Sequence, residues 1–369
     1  MHYTLHLTNR CNLACRYCYV KKGQSDMTAE MARRVVDMAA ETGGHHGIVF
    51  FGGEPLLCWE QIEETVAYAE EIQRTGKCYF HFKITTNGLL LDESFLSYAC
   101  RHDIFIALSH DGLGNDTERI NPDGTGNRDK LEEIAKRLLS CKPYAPVMMT
   151  VTPGTLPRYA DSVRYLYGLG FRYIICTMDY SAAWRESDLV ILKRQYRKLA
   201  TFYREMTLRE EKFYLSPFEV KISTHIRSHN LRAERCELGK KQISVAPDGK
   251  IYPCVQLVGD PMFCIGDIWL GIDEEAREAL YLLNEREKEG CERCAIRSRC
   301  NHYCACLNKS ATGDITKVSP FLCAHERILV PIADGVAERL YRGRNALFIQ
   351  KQYNDMFPLI SLAEDKTVR

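Results

Sequence analysis

The chain has 369 residues, 46% hydrophobic and 26% charged, with a formal net charge of +1. That length favours about two domains. The balanced charge excludes a field that would draw in nucleic acid or an acidic membrane surface. No apolar run approaches the roughly 18 residues of a membrane span, and Met1-His2-Tyr3-Thr4-Leu5-His6-Leu7 is too short and too alternating for a signal peptide, so a cytoplasmic location is expected.

Strands are expected at Tyr3–Thr8, Gly47–Phe51, Tyr79–Thr85, Ile104–Ser109, Val147–Thr152 and Tyr173–Met178. Helical spacing fills the gaps between them. Thr28–Thr42 opens on the capping signal Thr28-Ala-Glu-Met, and Gln61–Arg74 and Arg128–Ser140 read similarly. Strands alternating with helices imply a parallel sheet with crossover connections. Six such units suit an α/β fold, a partial (β/α)6 TIM-like barrel. Residues 187–215 read as one long charged helix ended by Ser216-Pro217. Ile243 to Tyr252 reads as a hairpin turning at Pro247-Asp248-Gly249. A last helix is expected over Glu326–Tyr341.

Seventeen cysteines in a chain with no export signal argue against a disulfide framework and for soft-metal ligation. Three fall within residues 11–18, and nine lie between 236 and 323. Cys58, Cys78, Cys100, Cys141 and Cys176 are scattered and read as small buried hydrophobes.

Cys11-Asn-Leu-Ala-Cys15-Arg-Tyr-Cys18 is a C-x3-C-x2-C loop directly after the first strand. Three thiolates can hold three irons of a cubane and leave the fourth iron open. The bland reading is three of four ligands of a structural zinc, whose shell is normally closed. Position matters as much as spacing, because active sites of barrels collect at the carboxyl ends of strands. Gly52-Gly53-Glu54-Pro55, Thr86-Asn87-Gly88 and Ser109-His-Asp111-Gly112 follow the second, third and fourth strands.

With the cysteine loop, these segments resemble the radical S-adenosylmethionine superfamily over residues 1–180. The resemblance implies a catalytic [4Fe–4S] cluster on Cys11, Cys15 and Cys18 and S-adenosylmethionine as a cofactor. It places the methionyl amine at Gly52-Gly53-Glu54, where glycines allow close approach and a carboxylate pairs with an ammonium. It places Tyr17 beside the adenine and Ser109 on the ribose or the carboxylate. Arg119 either reaches the carboxylate, as in related maturases, or is a surface arginine. Asn87 lies in the binding segment or only caps a turn. Tyr180 falls near where the family packs an apolar residue on the adenosyl group. Trp59 reads as packing at a helix start.

A second pattern runs from Cys236 through Gly249 to Cys254, then Cys291-x2-Cys294-x5-Cys300-x3-Cys304, then Cys323. A zinc ribbon would use four of these; seven are too many for one closed tetrahedral site. The spacing resembles the SPASM extension, which binds two auxiliary [4Fe–4S] clusters. By that resemblance Cys236, Cys254 and Cys304 hold the first, and Cys291, Cys294, Cys300 and Cys323 the second. Three clusters are then expected in all. The division implied is 1–215 barrel, 216–235 linker, 236–325 auxiliary-cluster domain and 326–369 helical tail.

Sulfatase-maturating relatives carry a further cysteine where this chain has Gln242. They also carry an aspartate base where Val255 follows Tyr252-Pro253-Cys254. The first auxiliary cluster therefore has either an open iron or another ligand, such as Cys264 or Cys306. An open iron holding a peptide thiolate makes thioether crosslinking of a ribosomally made precursor peptide the leading expectation. Alternatives are formylglycine formation on a sulfatase, other crosslinks, and epimerisation, with Cys176, Cys264 or Cys306 as hydrogen donor. A non-enzymatic electron carrier needs no S-adenosylmethionine pocket. An external donor such as flavodoxin or ferredoxin is expected. Many relatives carry an amino-terminal leader-recognition domain; here the first strand follows Met1 directly, so leader recognition is expected from a separate protein, from the carboxy-terminal tail, or not at all.

Overall fold

The computed structural model describes residues 1–227 and 236–361. Parts of the expected linker (228–235) and of the expected tail (362–369) lie outside the described residues. The core is one nine-stranded sheet. Its strands are β1 (His2–Thr8), β2 (Gly44–Gly52), β3 (Cys78–Thr86), β4 (Phe105–Ser109), β5 (Pro146–Val151), β6 (Tyr173–Met178), β7 (Tyr214–Leu215), β8 (Gln242–Val245) and β9 (Ile251–Tyr252). Their order is β7-β6-β5-β4-β3-β2-β1-β8-β9, an open sheet and not a closed barrel. All neighbouring pairs are parallel except β8 with β9.

The six expected strands are present with ends shifted by at most three residues. In β1, Tyr3 to Thr8 are all buried, as in a parallel-sheet strand covered on both faces. In β3, Cys78, Phe80, Phe82 and Ile84 point inward while Tyr79 and His81 are exposed. The helix Ala29–Thr42 starts where Thr28 accepts a hydrogen bond from the Met31 N–H at 3.2 Å.

Three expectations need correction. The long helix spans only Glu186–Leu208; Tyr214–Leu215 is a strand beside β6. Pro217 does not end a helix but sits in the first turn of one, Ser216–Ile226, where its missing N–H costs nothing. The stretch read as a linker thus holds a packed helix from 216 to 226, with Phe218 and Ile222 buried. The last long helix begins earlier than Glu326, at Pro320, and so carries Cys323.

The hairpin of β8 and β9 turns at Pro247-Asp248-Gly249, with Gly249 at φ 83°. β8 also pairs with β1 from His2–Gln242 to Leu5–Val245, so the cysteine-rich part extends the barrel sheet. Among the described residues, no helix is long and apolar enough to cross a membrane.

Candidate active site and auxiliary thiols

The segments after β1, β2, β3 and β4 meet at the carboxyl ends of these strands. Gly53 N–H donates to Thr8 C=O at 2.7 Å, and Glu54 N–H to Arg10 C=O at 2.9 Å. A Cβ on Gly53 would stand 2.0 Å from the Arg10 carbonyl oxygen, and Gly52, at φ 127°, has only 2.4 Å to that of Thr8. Only glycines let this turn lie against the cysteine loop.

Glu54 is 1% exposed. Its Oε1 accepts from Leu56 N–H (3.1 Å) and Thr86 Oγ1 (2.7 Å), and its Oε2 from Asn87 N–H (2.8 Å). A carboxylate offers about four acceptor sites, so three are taken by the protein and one on Oε2 is spare. Burial pushes the Glu54 carboxyl up to about 7 despite those three bonds. Asn87 caps its own turn through Oδ1, accepting from Leu89 N–H at 3.0 Å. Its Nδ2 also donates to Asn12 Oδ1 at 2.7 Å and stands 3.9 Å from Cys11 Sγ. The turn role and a place in the site therefore coincide.

Arg119 is 9% exposed, which overturns the surface reading. Its Nε stands 3.1 Å from Asp111 Oδ2, and its guanidinium lies 5.3 Å from the centre of the Tyr17 ring. Tyr17 donates to the same Asp111 oxygen at 2.5 Å, and Thr150 N–H to the other at 2.8 Å. Asp111 thus ties the cysteine loop, β4 and β5 together, a role that its place in the Ser109–Gly112 segment does not reveal. The loop is also strapped to the Arg119 segment by Ala14 N–H to Ile120 C=O and Arg16 N–H to Glu118 C=O. Ser109 is buried at the end of β4.

Cys11, Cys15 and Cys18 are free thiols on this loop. Burial first, then neighbouring Cys18 and Cys11, push the Cys15 thiol up to about 11 against the pull of Arg119. The Leu13 N–H stands 3.4 Å from Cys11 Sγ. Thiolates crowded together and met by N–H donors suit iron–sulfur ligation, because the irons supply the missing positive charge. Among the described residues, no group of three or more His, Cys, Asp or Glu side chains meets the geometry of a single bound metal ion.

The later cysteines form two neighbourhoods. Cys291 lies beside Cys323 and Cys294, and Cys300 beside Cys323, burial pushing the Cys300 thiol up to about 12. Cys236 lies beside Cys304 and Cys254; burial pushes it up to about 11. Cys306 joins this second set, its Sγ 3.4 Å from Cys304 Sγ. Cys264 instead donates to Gly266 C=O at 3.4 Å. Of the scattered cysteines, Cys78 is buried as expected, but Cys100 is exposed.

A cavity of about 340 Å³ lies between β6 and the auxiliary thiols, lined by Cys176, Lys221, Cys236, Tyr303, Cys304 and His325. A larger one, about 570 Å³, sits near Tyr173 where β6 begins and has no cysteine in its lining. Sequence reasoning missed His325, which sits between Tyr180 (Nδ1, 2.7 Å) and Tyr196 (Nε2, 2.6 Å). Burial lowers its pKa to about 4. The Tyr180 hydroxyl is thereby engaged by the helix Pro320–Arg342, and its ring packs on Phe321. Trp59 packs on Phe95 and Tyr98, as a helix-start residue should.

The chain matches the Radical SAM superfamily over residues 5–166. It is 34% identical to the uncharacterized protein MJ0907 of Methanocaldococcus jannaschii, over 47% of this chain and 60% of that protein, so the match spans less than two thirds of that relative. It is 22% identical to a cysteine-type anaerobic sulfatase-maturating enzyme of Clostridium perfringens, over 83% of this chain and 89% of that enzyme. Its fold is similar to that of native anSMEcpe with bound AdoMet and Cp18Cys peptide (TM-score 0.77, 21% identity, 92% of this chain and 100% of that one). It is also similar to Streptococcus suis SuiB bound to precursor peptide SuiA (TM-score 0.61, 16% identity, 87% and 75%). Its fold is thus that of these two solved neighbours.

Proposed function

We propose that this enzyme modifies a peptide by hydrogen abstraction at a site built on Cys11, Cys15 and Cys18. S-adenosylmethionine would be held by Gly52, Gly53, Glu54, Tyr17, Asn87, Ser109 and Arg119. The observation that carries the reading is the convergence of Glu54, Asn87 and the Asp111–Arg119 pair on the cysteine loop. When bound, the cluster would supply the electron that cleaves S-adenosylmethionine to a 5′-deoxyadenosyl radical. The chain's own residues do the rest. The spare acceptor on Glu54 Oε2 receives the methionyl ammonium. Arg119, already charge-balanced by Asp111, orients the carboxylate.

A peptide substrate is favoured by the peptide-bound neighbours and by the cavity between β6 and the auxiliary thiols. Residues 236–323 would hold two further clusters, fed by an external electron donor. A leader-recognition protein remains part of this reading. Two products divide it. A thioether product needs an open iron on the cluster of Cys236, Cys254 and Cys304. A carbon-centred oxidation, such as a carbon–carbon crosslink or an aldehyde, needs only an electron acceptor. The placement of Cys306 beside Cys304 favours the second.

The test is incubation of anaerobically reconstituted protein with S-adenosylmethionine and a strong reductant. 5′-Deoxyadenosine should be released, and Cys15→Ala should abolish the release. A Cys15→Ala protein that still released it would refute the reading.

A further inference from the structure

We propose that Cys306 is the fourth protein ligand of the auxiliary cluster on Cys236, Cys254 and Cys304, leaving that cluster no exchangeable iron. The proposal rests on the reading of residues 236–323 as an auxiliary-cluster domain. Among the thiols in reach in the described residues, Cys306 alone is unassigned and faces the set. Gln242, where related enzymes have a cysteine, is fixed in β8 opposite His2 and has no thiol to offer. Cys264 is committed to the Gly266 carbonyl. Cys306 is buried, 3.4 Å from Cys304 Sγ, and shares its apolar cluster with Cys254. Cys236 neighbours both Cys304 and Cys254.

Local structure supports the assignment. Cys304 is the N-cap of the helix Ala305–Thr312, and Cys306 is in its first turn. Both sulfurs therefore stand at the positive end of that helix, where thiolates are favoured. Leu238, Tyr252, Leu257, Phe263 and Ile315 surround them in an apolar cluster. Such a shell keeps water from a metal centre. On ligation each of the four thiols gives up its proton, and every iron of the cubane then has a protein ligand. A substrate thiol could reach iron only by displacing Cys306. The cluster is then an electron acceptor for a substrate radical and not an anchor for substrate sulfur.

The experiment uses the full chain with Cys11, Cys15 and Cys18 changed to Ala, reconstituted anaerobically. About eight irons and eight sulfides are expected, from two four-iron clusters. The electron paramagnetic resonance signal of the reduced protein should not change with excess 2-mercaptoethanol. Adding Cys306→Ala should make the signal shift with that thiol, or lose about four irons, while Cys264→Ala behaves as the parent does. A parent signal that shifts with thiol overturns the Cys306 assignment, and this holds even should the Cys306→Ala variant not fold. So does a Cys306→Ala protein with the parent's iron content and thiol-insensitive signal. A parent that binds no iron sinks the auxiliary-cluster reading itself and the assignment with it.

Discussion

Glu54 shows how a single buried carboxyl serves two purposes. Its hydrogen bonds from Thr86 and Asn87 hold the ends of β2 and β3 together, and its position keeps one acceptor free. Burial raises its pKa from 4.5 to about 7. A carboxyl raised in the folded state stabilises the fold below its unfolded value and loses that contribution as pH rises through the folded value. Metal-free wild type should therefore lose about 2–3 kcal/mol between pH 5 and pH 8 beyond what Glu54→Gln loses. Urea denaturation at both pH values measures the difference; equal losses would show that Glu54 ionises freely. Asp111 and Arg119 belong to the same scale. Each motif residue was visible in the sequence, but the ion pair between them was not, because neither residue type names its partner.

At the scale of elements, the helix Ser216–Ile226 joins the barrel to the long helix Pro320–Arg342. Its Lys221 forms a 2.7 Å ion pair with Glu326, the two side chains 3% and 0% exposed. Lys221 also donates to the Arg299 carbonyl at 2.7 Å. Removing one member of such a pair leaves a buried charge uncompensated. Lys221→Met should cost about 3–5 kcal/mol, and Lys221→Met with Glu326→Leu should recover most of it. Chemical denaturation of the three proteins checks this, and additive losses would contradict it. In the sequence, Pro217 reads as a stop and hides this helix. Proline both ends helices and opens them, and only the packing of Phe218 and Ile222 decides between the two.

At the scale of the whole molecule, the cysteine-rich part is not an appended module. β8 lies on β1, and β1 is buried on both faces. A fragment of residues 1–227 would expose a row of unpaired N–H and C=O groups along β1, a template for association. That fragment should aggregate or unfold, as light scattering and circular dichroism would show. A monomeric, native-like fragment would restore the division at 215.

The sequence by itself determined the strand order of the first half, the cysteine loop after β1 and the glycine, asparagine and serine segments after β2, β3 and β4. Those signals are local: alternation, capping and short cysteine spacings are written in neighbouring residues. The tertiary structure alone decided that β8 extends the sheet, that Arg119 is buried against Asp111, that His325 sits between two tyrosines, and that Cys306 rather than Cys264 faces Cys304. Each of these depends on side chains brought together by packing, or on which way a thiol turns. Periodicity records which face of an element is apolar, but not what that face meets.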